Sequence, residues 1–159
     1  MATESFTRAR VPAEQASRGT VRRWILAWLG ASVLGIVNGG IRDLAYEERV
    51  GESAAGRIST GTLIAALALY FWALHRRWPL ESRHDALAVG AAWVALTVLF
   101  EFGFGSTAEG LSWAEMVEPY DVTKGNVWIL VLAWIAAGPA IVRAVAETRS
   151  TRSDERRLR

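Results

Sequence analysis

The chain has 159 residues, of which 52% are hydrophobic and 21% charged, with eight tryptophans, no cysteine and a formal net charge of +2. With no sulfur available, a disulfide scaffold, a thiolate metal site and cysteine catalysis are all excluded. The charged residues avoid four apolar stretches and crowd between them, which is not the helix- or strand-period alternation of an ordinary soluble domain.

Those stretches run over residues 24–41, about 60–75, 86–104 and 126–142. Each is roughly 16 to 19 residues, close to the ~20 that a helix needs to cross a hydrocarbon core. Lipid offers the backbone no partners, so each should be a helix. A helix buried in a soluble protein would keep a polar face. Leu63 to Leu74 and Val89 to Leu99 have none, with only Tyr70 and Thr97 as mild exceptions. The expected fold is therefore an all-α membrane protein: a bundle of four transmembrane helices over residues 22–143, between a disordered tail (1–21) and a basic tail (144–159). Arg22-Arg23 resembles a twin-arginine export signal, but no small-x-small cleavage site follows, so the first helix is expected to stay attached.

Charge orients these helices. The N-terminal tail, the second link and the C-terminal tail together hold fourteen arginines against seven carboxylates. The first and third links with their helix ends hold Arg42, Arg49, Arg57 and Lys124 against nine carboxylates. Lysine and arginine stay on the cytoplasmic side, so both termini are expected in the cytoplasm of a multi-pass inner-membrane protein. The basic excess thus reflects membrane asymmetry, not nucleic-acid binding. Aromatic residues agree with this placement. Trp24, Trp28, Trp72 and Trp78 fall toward one interface, and Phe100, Trp113, Tyr120 and Trp128 toward the other. The arginines from Arg149 to Arg159 are expected to rest against anionic lipid.

Ala27, Ala31, Gly35 and Gly39 recur every four residues in the first helix and predict a close-packing face. That face serves either packing within the chain or a homo-oligomer. Pro139 should bend the fourth helix. In the third link, Ser112 followed by Glu115 forms a capping box. Trp113, Met116, Val117 and Tyr120 then line one face of a short amphipathic helix, expected to lie in the outer interface.

The polar residues that need explaining gather at the outer end: Asn38, Arg42, Asp43, Arg57, Glu101 and Asp121. Glu101 stands out because it lies among Phe100, Phe102 and Phe104, and an ionisable group at that depth usually faces protein or water. The sequence allows an ion pair with Arg42 or Arg57, a binding or translocation site, or snorkelling to the surface. No catalytic motif, phosphate loop or cofactor site is found, and His75 and His84 have poor zinc-ligand spacing, so no metal or cofactor is expected.

Asn38-Gly39 with Arg42-Asp43, Tyr46, Gly51 and Arg57-Ile58-Ser59, then Phe100-Glu101-Phe102, Gly110, Ser112-Trp113, Tyr120-Asp121, Gly125 and Trp128 form a set. That set resembles an uncharacterised family of small bacterial four-helix integral membrane proteins, over residues 22 to 143. The resemblance implies architecture and no activity. The chain departs from the family pattern at Asn126, where that pattern has arginine, and lacks a histidine after the third helix. The expected function is an accessory, structural or binding role in the membrane with a polar cluster on the outer face. The alternative is a small oligomeric transporter or channel for a proton, cation or small polar solute. A membrane enzyme acting on lipid or quinone has the least support.

Reporter fusions test the orientation. Fusions at residue 159 and near residue 80 should score cytoplasmic and one near residue 50 external; the opposite pattern overturns the charge argument.

Overall fold

The computed structural model describes residues 3–108 and 110–157, with side chains described from residue 17 and, beyond residue 149, only for Arg152. The outermost tail residues 1, 2, 158 and 159 lie outside the described residues, as does Glu109. Among the described residues every regular element is helical. Helix α1 spans Thr3–Ile41 and passes into a π-helical turn, Arg42–Tyr46, and a short α2, Glu47–Val50. Helices α3 (Glu52–Arg77) and α4 (Arg83–Thr107) follow, then α5 (Trp113–Val117), two 3-10 turns, and α6 (Trp128–Arg157). Four helices are long and apolar enough to cross a membrane, over Ser17–Val50, Glu52–Arg77, Arg83–Thr107 and Trp128–Arg149.

Each helix outruns the apolar stretch that predicts it. Apolarity marks where lipid lies, whereas caps and glycines mark where helices stop. Ser82 caps α4 by accepting from Asp85 N–H at 3.0 Å. Gly51, at φ 81°, permits the turn between α2 and α3. Residues 3–21, expected to be disordered, instead continue α1, and residues 144–157 continue α6.

The links divide the molecule into two ends. Residues 42–51 and 108–127 lie at one, the long-link end, and the short link 78–82 at the other. At the short-link end the interior is aromatic and closed. Trp24, Phe71 and Trp93 are fully buried, with the Phe71 and Trp93 rings 5.2 Å apart edge to face. Their polar handles are satisfied by backbone. Trp24 Nε1 donates to the Trp78 carbonyl at 2.9 Å and Trp93 Nε1 to the Trp24 carbonyl at 2.8 Å. Tyr70 Oη donates to the Ala27 carbonyl at 2.9 Å. These three hydrogen bonds hold α1, α3, α4 and the short link together where water is scarce, so breaking one leaves a donor unpaired. Arg143 adds a tie from α6, donating to the carbonyls of Leu80 and Glu81 at 3.2 and 3.0 Å.

Helix approach is closest at glycines other than those of the predicted row. A Cβ on Gly90 of α4 would collide with the Ala136 carbonyl of α6, and one on Gly138 with the Phe71 ring. Gly35 and Gly39 face open space instead. In the predicted row, then, Ala31 is buried while a Cβ at either glycine would meet nothing within 4 Å.

The outside of the molecule is apolar: Leu29, Ile36, Leu69 and Leu99 are each at least 60% exposed. Water would penalise such a surface, and lipid would not.

Gly90→Ala should lower stability in detergent by about 1–3 kcal/mol, because backbone rather than a flexible side chain must move. Gly35→Ala should stay within about 0.5 kcal/mol or stabilise slightly. Thermal unfolding of the two variants checks both.

Candidate functional site

At the long-link end the four helices leave a cavity of about 440 Å³. Its walls come from all four: Trp28 and Gly35 from α1, Leu63 from α3, Thr97 and Glu101 from α4, Ile135 from α6. The floor is Trp93, which belongs to the closed aromatic core. Trp28 Nε1 donates to Thr97 Oγ1 at 3.0 Å, so the polar groups on this wall pair with each other. Arg42 and Glu101 line the same cavity.

Glu101 does not form the expected ion pair with Arg42 or Arg57; among the described residues its partners are neutral donors. Tyr120 Oη donates to Glu101 Oε2, and Trp128 Nε1 donates to the same oxygen at 3.3 Å. Arg42 instead bonds Asp43 at 2.7 Å and Glu47 at 3.0 Å, both within a turn or so of it. Arg57 donates to the Ser53 carbonyl at 3.0 Å. The reason is reach. Each arginine finds an acceptor on its own helix or turn, while the third link folds back over α4 and delivers Tyr120.

That fold-back is built locally. Ser112 Oγ accepts from Glu115 N–H at 3.4 Å, and the Glu115 carboxylate accepts from Ser112 N–H at 2.8 Å, completing the capping box. The Ser112 hydroxyl, donating to the Glu115 carboxylate at 2.7 Å, and then the Ser112 N–H hold that carboxyl below the usual glutamate range. Helix α5 lasts only from Trp113 to Val117 before Pro119 turns it into a 3-10 turn, Glu118–Tyr120. Phe102 packs against Trp113 at 5.1 Å and Tyr120 at 6.0 Å between ring centroids. Tyr120, read in sequence as part of an apolar face, thus carries its ring on Phe102 and its hydroxyl on Glu101. Burial raises the Tyr120 phenol above its ordinary range, and the hydrogen bond to the neighbouring carboxylate adds to the effect.

The other residues of the predicted polar set separate into local groups. Asn38 Nδ2 donates to Ser59 Oγ at 2.6 Å, and Thr62 Oγ1 donates to Asn38 Oδ1 at 2.8 Å, joining α1 to α3. Asp121 accepts from Thr123 Oγ1 at 2.6 Å and from Thr123 N–H at 2.9 Å, which lowers its pKa and turns the chain toward Gly125. Of the six, only Arg42 and Glu101 line the cavity. Sequence reasoning missed Tyr120 and Trp128 as partners of Glu101. The available signal was that a Trp or Tyr at this depth needs an acceptor for its polar handle.

No cluster of three or more metal-ligating side chains occurs among the described residues. No family model, curated protein or solved structure matches the chain.

Tyr120→Phe should cost roughly 1–2 kcal/mol and be strongly non-additive with Glu101→Gln, whereas Arg42→Ala should be additive with it. The stability of the single and double variants in detergent measures both couplings. Because folding raises the Tyr120 pKa, its linkage contribution is full below the ordinary tyrosine value of about 10 and is lost as pH rises beyond it. An ultraviolet alkaline titration should find a tyrosine ionisation well above that value that is lost in Tyr120→Phe.

Proposed function

We propose that this is a binding protein of the cytoplasmic membrane, with both termini in the cytoplasm, that takes an amphipathic small molecule into its outward-facing cavity. The four long apolar helices support a multi-pass protein, and the arginine asymmetry supports the orientation. The observation that carries the binding role is the cavity itself: about 440 Å³, walled by every long helix, mostly apolar, with Glu101 and Arg42 among its lining. That volume lies within the roughly 300–1,000 Å³ range of small-molecule sites, which pair an apolar body with a few placed polar groups. The ligand's apolar part would lie on Trp28, Leu63 and Ile135, and its polar end near Glu101.

Helix α5 and the Tyr120 turn would sit at the outer interface as the rim of this cavity. Passage through the protein is the second reading and has less support. A translocator needs a polar route to the cytoplasm, and the route here ends on buried Trp93, Trp24 and Phe71.

The absence of native cysteine makes single-cysteine labelling clean. Thr97→Cys and Gly35→Cys should react with a charged methanethiosulfonate added from the outside. Ala86→Cys, fully buried at the short-link end, should react from neither side. Labelling of Thr97→Cys only from the cytoplasmic side, or from neither, would overturn the proposal.

A further inference from the structure

A second concavity lies on the outer surface between α3 and α6 at the short-link end, separate from the four-helix cavity and independent of its reading. Leu69 and Trp72 form one wall, Ile141 and Val145 the other, and Arg149 lies at its end, enclosing about 340 Å³. Both helices run toward the same end, so the trough is apolar along its length and cationic where it stops. Leu69 is 68% exposed, a placement suited to acyl chains and not to water. Arg76 sits 4.8 Å above the Trp72 ring, which holds its guanidinium over the trough wall. Arg76 and Arg149 are both exposed, and neither is paired with a carboxylate among the described residues.

Arg76 stands about 10 Å along α3 from Leu69, beyond the end of the trough at Trp72, a span that takes the upper part of an acyl chain below a headgroup. Two guanidiniums without acid partners favour a headgroup of net negative charge over a zwitterion. We propose that this groove binds one anionic phospholipid, its phosphate held by Arg76 and Arg149 and one acyl chain along Leu69, Trp72, Ile141 and Val145. Such a lipid would cement α3 to α6 where their side chains leave a gap.

Native mass spectrometry of the full chain in detergent tests this, with phosphatidylglycerol and phosphatidylcholine of identical chains as probes. One phosphatidylglycerol should be retained in preference to phosphatidylcholine, and in the double variant Arg76→Ala/Arg149→Ala that preference should fall roughly thirtyfold. Val145→Trp fills the trough without touching charge, and it should also lose the lipid. Soluble glycerol phosphate should not compete, because it has no chain to fill the trough. Equal retention of the two lipids, undiminished retention in either variant, or displacement by glycerol phosphate would each overturn the proposal.

Discussion

A carboxylate placed inside an apolar helix must find donors, and the long-link half of this protein is arranged around that need. Glu101 lies near the end of α4 with phenylalanines on either side. It takes its donors from Tyr120 and Trp128, one from the third link and one from the first residue of α6. Satisfying it therefore fixes where the link lies and where the last helix begins. The capping box at Ser112, the short α5, the break at Pro119 and the packing of Phe102 on Trp113 serve to bring Tyr120 back over α4. Neutral donors stabilise the carboxylate without bringing a second charge out of water, which is the costly part of a buried ion pair.

The two halves of the protein solve opposite problems. At the short-link end, the indoles of Trp24 and Trp93 and the phenol of Tyr70 donate to backbone carbonyls of neighbouring elements, and the helices close on a Trp24–Phe71–Trp93 centre. Close approach there depends on Gly90 and Gly138, which let Ala136 and Phe71 come against bare backbone. Toward the long-link end Gly35 of α1 has no such neighbour, and it lines the cavity. The protein therefore has one closed end and one hollow end.

The four helices were legible because lipid removes ambiguity. A run without charge, about as long as the membrane is thick, has only one way to satisfy its backbone. The capping box was legible for a similar reason, since Ser112 and Glu115 are three residues apart and the interaction is local. Glu101 could be singled out, but its partners could not. Opposite charge pointed to Arg42 and Arg57, while the structure bonds those arginines within their own segments and gives Glu101 to aromatic donors. Gly35 and Gly39 take no close helix contact within the chain: spacing marks where a helix can approach, not whether one of the same chain does. The cavity was not legible at all, because it depends on where four helices diverge, and no single segment encodes that.

The account's central claim is that Glu101 is held at the cavity by Tyr120 and Trp128 and by no cation. Infrared difference spectroscopy in lipid nanodiscs, with the Glu101 band identified by its loss in Glu101→Gln, reads the hydrogen bonding of that carboxyl directly. The band should shift in Tyr120→Phe and, less strongly, in Trp128→Phe, and stay in place in Arg42→Ala and Arg57→Ala. A band that moves with either arginine and ignores Tyr120 would contradict the account.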